Sequence, residues 1–156
     1  GKVLATLVRR TAVAADVTGA QAVPDLMGVL LQLRPDTITA MASDRCRAVV
    51  ATAPWKAQPN VSADLLIPAA MLLDAVHWLG DEPITLYGSD MLAGLAGDTY
   101  STTGSLIVAK VFPKNLPDLM PTRVQHPLTF DVAEVVAATK RAVLPIEGGK
   151  RQCCGK

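Results

Sequence analysis

The sequence predicts an α+β fold, two helices packed on one face of curved antiparallel sheets, arranged as two similar halves. Three observations lead there. Apolar residues recur at helical spacing from Leu4 to Val17 and again from Ala69 to Leu79. Short runs rich in Val, Ile, Leu and Thr are separated by Gly, Pro, Asp and Ser, the residues that punctuate hairpins. In chain order the segments read helix, three strands, a strand, helix, three strands, so each half is a helix backed by consecutive strands.

In the first segment Leu4, Leu7, Val8, Thr11 and Ala15 form the stripe to be buried, Arg9 and Arg10 fall off it, and Gly19 is the stop. Pro24 begins the next element. Met27 to Leu33 is a strand, and Arg34-Pro35-Asp36 is a tight turn. Thr37 to Trp55 then reads as a hairpin folded about a charged corner, Ser43-Asp44-Arg45-Cys46-Arg47. Pro54 and Pro59 bracket a loop. Asp64 to Ile67 is a short strand running into Pro68, which suits the first turn of a helix from Ala69 to Leu79 stopped by Gly80. Its buried stripe is Leu72, Ala75, Val76 and Leu79. Asp74 and His77 lie on the other side, and Trp78 flanks the core. Strands at Pro83–Tyr87, Met91–Leu95 and Thr99–Val108 follow, joined by turns at Gly88-Ser89-Asp90 and Gly97-Asp98.

Residues 110–127 hold four prolines, Pro113, Pro117, Pro121 and Pro127, and no periodic pattern, which predicts an extended, semi-rigid connector. Beyond it Leu128-Thr129-Phe130 is strand-like, and Asp131 can cap a helix from Val132 to about Val143. LATLVRRTAVAA from Leu4 and VAEVVAATKRAV from Val132 match in size and polarity at most positions, so residue 128 is expected to open a second copy of the first domain. The chain is thereby divided into 1–109, 110–127 and 128–156, the last ending in a Gly- and Lys-rich tail expected to be disordered.

Composition narrows the function. Half of the 156 residues are apolar and only 4% aromatic, enough for a core of Ala, Val, Leu, Ile and Met. The net charge of +1 gives no global attraction to a polyanion. Residues 58–109 carry six acids and no Lys or Arg, so any contact with a polyanion is expected from the flanking segments. Three cysteines, Cys46 alone and Cys153-Cys154 adjacent, form no disulfide framework and fit a reducing, cytoplasmic location. No apolar run reaches the ~18 residues of a membrane span. Cys46 reads as a small buried hydrophobe. The sequence has no glycine-rich phosphate loop after a strand, no G-x-S-x-G and no H-E-x-x-H. Asp74 with His77 offers two metal ligands and no third, and Cys153-Cys154 lacks partners for zinc. A non-catalytic protein needing no cofactor or metal is therefore expected.

The corner SDRCRAVV, the stretch LLIPAAMLLDAV and the connector KVFPKNLPDLMP followed by FDVAEVVAATKRA resemble the bacterial β sliding clamp family, in the wording of its actinobacterial members. Ser43-Asp44-Arg45-Cys46-Arg47, Ile67-Pro68 and Phe112-Pro113 stand in that family's order and spacing. The resemblance covers about residues 3–143, the middle one of three clamp domains with the start of the third. It implies a DNA-clamp fold and a processivity factor that tethers the replicative polymerase and other proteins to DNA. A fragment, a degenerate paralogue and a phage-type short form all fit that length.

What the resemblance implies residue by residue is a peptide pocket formed by Leu26, Ser43, Arg45, Cys46, Arg47, Ala48 and Pro113. Leu26, Ala48 and Pro113 would offer an apolar floor, Ser43 a hydroxyl, and Arg45 and Arg47 a rim for a carboxylate. The far wall would belong to the third domain and be missing. Arg9, Arg10 and Gln21 would face DNA. The implied partners are clamp-binding peptides of the polymerase and clamp loader, further copies of the chain, and double-stranded DNA only within a closed ring; no membrane is implied. The rival expectation is a stand-alone clamp-fold module, or decoy, that binds such peptides without encircling DNA.

Overall fold

The computed structural model describes residues 1–17, 23–56, 61–108, 110, 112–121 and 126–148, the side chains of 144–148 excepted. Gly19, Gln21, Pro59, Cys153 and Cys154, and the expected tail from 149 onward, lie outside the described residues. The chain divides into two compact units, Gly1–Met120 and Pro121–Lys156.

The first unit holds helix α1 (Lys2–Thr11), strands β1 (Gly28–Leu33), β2 (Thr37–Ser43), β3 (Ala48–Pro54) and β4 (Ala63–Pro68), helix α2 (Ala69–Val76), strands β5 (Thr85–Gly88), β6 (Leu92–Ala96) and β7 (Ser101–Ser105), and a one-turn helix α3 (Leu116–Leu119). One antiparallel sheet runs β3-β2-β1-β4 and a second runs β5-β6-β7. The two are joined where Ile107 N–H donates to Leu66 O at 2.9 Å.

Side chains alternate across a strand, and the first sheet uses both of its faces. Val29, Leu31 and Leu33 of β1, Ile38, Ala40 and Ala42 of β2, and Leu65 and Ile67 of β4 point to one side. There they bury Leu4, Leu7 and Val8 of α1 and Leu72, Ala75 and Val76 of α2, together with Ala93 and Leu95 of β6. Both helices thus cover one face, as the period-3.6 stripes predict. The intervening residues Leu30, Met41 and Leu66 point to the opposite face and form a smaller cluster with Phe112 and Leu116. In the second sheet the ring of Tyr87 lies across Gly94, where any side chain would collide with it, and the Tyr87 hydroxyl sits 2.7 Å from Thr103 Oγ1.

Several boundaries differ from the sequence expectations. The first helix stops at Thr11 and tightens into a 3₁₀ turn at Ala12–Ala14 instead of running on to Val17. Thr11 Oγ1 turns back onto Leu7 O at 2.9 Å, and Asp16 N–H is drawn to Leu26 O at 2.8 Å. Helix α2 ends at Val76, and Trp78 is 65% exposed, stacked on Tyr100 with ring centroids 5.6 Å apart. Residues 112–120 are not an extended connector, because Phe112 and Leu116 are buried against the sheet.

The second unit, described by itself, contains α4 (Val132–Gly148). Asp131 caps it as expected, its Oδ1 accepting the Glu134 N–H at 3.0 Å. The strand expected at Leu128–Phe130 is not formed. Leu128 and Phe130 are 77% and 64% exposed, and a strand is defined by the neighbour it pairs with, whatever its own propensity.

Candidate peptide-binding groove

The β2–β3 corner begins at the last ladder pair, Ser43 with Ala48, which leaves Asp44 to Arg47 as the turn. Asp44 N–H donates to Arg47 O at 3.2 Å and closes it. The side chains then tie it from within. Asp44 Oδ1 accepts the N–H groups of Cys46 at 3.1 Å and Arg47 at 3.0 Å, and Asp44 Oδ2 meets Arg47 Nε at 2.9 Å. Ser43 Oγ donates to Arg47 O at 3.0 Å and accepts Arg45 N–H at 3.2 Å. This is what Asp and Ser do at turns, where a short polar side chain replaces a missing backbone partner. The Arg47 N–H is the main cause that holds the Asp44 carboxyl below its ordinary value of 3.8; desolvation opposes it, and the Arg47 guanidinium and the Cys46 N–H together tip the balance further down.

The opposite wall comes from residues 112–120. Phe112 N–H donates to the buried carboxylate of Asp25 at 3.2 Å, and the Phe112 ring joins Leu30, Met41 and Leu66. Lys114 Nζ lies 3.6 Å from Asp64 Oδ2, and Asp64 is itself paired with Arg34 at 3.0 Å. Asn115 precedes α3, with Pro117 in the first turn, where its missing N–H matters least. Burial of Phe112 and Leu116 contributes roughly 2–3 kcal/mol each. The segment is thereby seated on the sheet face away from α1 and α2.

Between corner and segment runs an open groove of about 360 Å³, lined by Ser43, Arg45, Cys46, Arg47, Ala48, Pro113, Leu116, Leu119 and Met120. Six of the expected pocket residues therefore converge. Leu26 does not line the groove. It is buried in the 3₁₀ turn Pro24–Met27, and its neighbour Asp25 provides the link to Phe112. Cys46 is exposed and not the small core residue expected, because it sits at the tip of the corner. The sequence reading missed Leu116, Leu119 and Met120, whose i, i+3, i+4 spacing was the available signal. Their chemistry is apolar floor and wall, with two guanidinium groups at the lip.

The residues expected to face DNA are placed in part. Arg9 and Arg10 are exposed on the last turn of α1. Arg9 Nη2 donates to Val76 O at 3.4 Å, at the C-terminus of α2, where a cation meets the negative end of the helix dipole. Gln21 is outside the described residues. Among the described residues no three His, Cys, Asp or Glu side chains gather as a metal site, and no helix is long and apolar enough to cross a membrane.

The family model for the DNA polymerase III beta subunit, central domain, matches residues 1–114. The chain is 32% identical over 154 residues to the beta sliding clamp of Streptomyces coelicolor, an alignment that covers 94% of this chain and 40% of that protein. The DNA polymerase sliding clamp of Bacillus subtilis superposes with a TM-score of 0.80 at 19% identity, over 92% of this chain and 37% of that one. The Helicobacter pylori beta clamp bound to a DNA ligase peptide superposes with a TM-score of 0.64 at 18% identity, over 72% of this chain and 31% of that one. The chain thus spans about 40% of the length of the curated relative.

Proposed function

The chain belongs to the DNA polymerase III beta subunit family, and from that premise we propose that it acts as part of a DNA sliding clamp. In this reading it is a non-catalytic, cytoplasmic tether that holds the replicative polymerase and other proteins on DNA. Its partners are short peptides of the polymerase and clamp loader. Copies of the clamp chain close a ring around double-stranded DNA, and affinity comes from encirclement. Arg9 and Arg10 face the duplex, and Arg10 is the freer of the two because Arg9 also holds the end of α2.

The observation that carries the proposal is the groove. Ser43, Arg45, Cys46, Arg47, Ala48 and Pro113 were expected together from separate parts of the chain, and they line one cleft with Leu116, Leu119 and Met120. The Helicobacter pylori relative is described as bound to a DNA ligase peptide, which supports a peptide as the occupant here. Apolar peptide side chains would be covered by Ala48, Pro113, Leu119 and Met120.

Calorimetric titration of a capped peptide carrying Leu and Phe tests this. The expected result is saturable binding, lost in Leu119→Asp, a change at a side chain that is 64% exposed and so does not disturb the core. Equal binding by wild type and Leu119→Asp would remove the groove from the account. Fluorescence anisotropy with duplex DNA at physiological salt should show no binding by this chain alone, since each phosphate contact adds only about one counterion of salt-sensitive affinity. Tight binding would instead point to a DNA grip outside ring topology.

A further inference from the structure

We propose that Arg45 is the charge-selecting residue of this groove and restricts its peptides to those that place a carboxylate beside the apolar anchors, an inference that rests on the groove being a peptide site. The two arginines of the corner are not equivalent. Arg47 is committed to the turn, with Nε 2.9 Å from Asp44 Oδ2 and its own N–H and C=O both bonded within the corner. Its charge is met inside the protein. Arg45 is exposed, lines the groove, and has no acidic partner among the described residues.

The backbone singles out the same position. Arg45 has φ 73°, the one positive value at a non-glycine residue among those described. A side chain is disfavoured there because Cβ crowds the carbonyl oxygen, and glycine would hold the turn without that strain. The turn itself needs only the Arg45 N–H, which donates to Ser43 Oγ at 3.2 Å and which glycine would also supply. The guanidinium therefore contributes nothing to the corner that glycine would not, and its chemistry points outward, into the groove. An unpaired, planar, five-donor cation at the lip of an apolar floor of Ala48, Pro113, Leu119 and Met120 is complementary to a carboxylate, which it can take in two parallel hydrogen bonds. The occupant is a short peptide with apolar anchors and an acidic side chain.

The test uses three peptides of one Leu- and Phe-containing sequence, titrated calorimetrically into the whole chain. One has a single Asp and a capped C-terminus, the second has Asn in its place, and the third has Asn with a free C-terminal carboxylate. Wild type should bind the Asp peptide about tenfold tighter than the capped Asn peptide, with the difference shrinking as salt is raised. In Arg45→Gly the ratio should fall to about one, and in Arg45→Lys it should be intermediate. A preference for the free C-terminus over the Asp side chain assigns the carboxylate to the chain end and overturns the side-chain form of the proposal. A wild-type ratio near one with both peptides bound, or a ratio that survives Arg45→Gly, removes Arg45 while the groove stands. Binding of none of the three by wild type removes the groove itself.

Discussion

The β2–β3 corner and the β5–β6 corner follow one hydrogen-bond plan and lead to different surfaces. In the first, Asp44 N–H closes onto Arg47 O and the Asp44 carboxylate takes the next two free N–H groups. In the second, Ser89 N–H closes onto Leu92 O at 2.8 Å and Ser89 Oγ accepts from Met91 at 3.4 Å and Leu92 at 3.2 Å. Position for position, Asp44 matches Ser89 and Arg45 matches Asp90. The second corner even borders the larger cleft, about 550 Å³ against about 360 Å³. What it lacks is a basic residue: its cleft sets Leu33, Val61, Ala63, Leu65, Leu86 and Leu106 beside Asp64, Asp90 and Tyr87. The two surfaces therefore differ in the sign of the charge at the corner, not in turn plan or in whether apolar side chains line the adjacent hollow.

The largest break in that comparison should come from the wall. Phe112→Ala deletes an aromatic side chain buried in the smaller core cluster and should destabilise the first unit by roughly 3–5 kcal/mol in urea unfolding. Peptide binding should vanish with it, while amide exchange at Ser89 to Leu92 stays as in wild type at low denaturant.

Next comes the corner's internal strut. The Asp44 carboxyl is held below 3.8 in the folded chain, so its contribution to stability is present above that value and lost as pH falls through the lowered one. Asp44→Asn should be less stable than wild type at neutral pH, with a flatter fall in stability below pH 3.8. Thermal melts of both proteins across that range read the difference. Identical pH profiles would mean that the carboxylate is not tied as described.

Smaller effects sharpen the contrast. Arg45→Gly removes about 1–2 kcal/mol of left-handed strain and adds about 0.5–1 kcal/mol of unfolded-chain entropy. The net is a gain of roughly 0.5–1 kcal/mol, seen as a higher midpoint of unfolding. Ser89→Ala should lose about 0.5 kcal/mol, the value of an exposed side-chain cap, and leave peptide binding alone.

The hairpin was legible because its signals are local. Alternation along Thr37–Pro54 and the turn chemistry of Ser43 and Asp44 determine strands and corner within a few residues of chain. The two helical stripes were legible for the same reason, as was Asp131 as a cap. Residues 112–120 were not, because their prolines and lack of period hide a packing decision made by Leu30, Met41 and Leu66 on a distant sheet face. Leu26 was expected in the site from the family resemblance alone, and it is buried instead in the turn Pro24–Met27. The contact to the groove's wall is made instead by Asp25, a buried carboxylate that no pattern marks. Trp78 and Cys46 were read from hydrophobicity alone, whereas chain position at a helix end and at a turn tip decides their exposure.

The most direct test of the account is an amide chemical-shift titration of the whole chain with the capped Leu-, Phe- and Asp-containing peptide. The account predicts shifts concentrated at Ser43 to Ala48 and Phe112 to Met120, with Ser89 to Leu92 unmoved. Shifts centred on the β5–β6 corner and its larger cleft, or no shifts at saturating peptide, would contradict it.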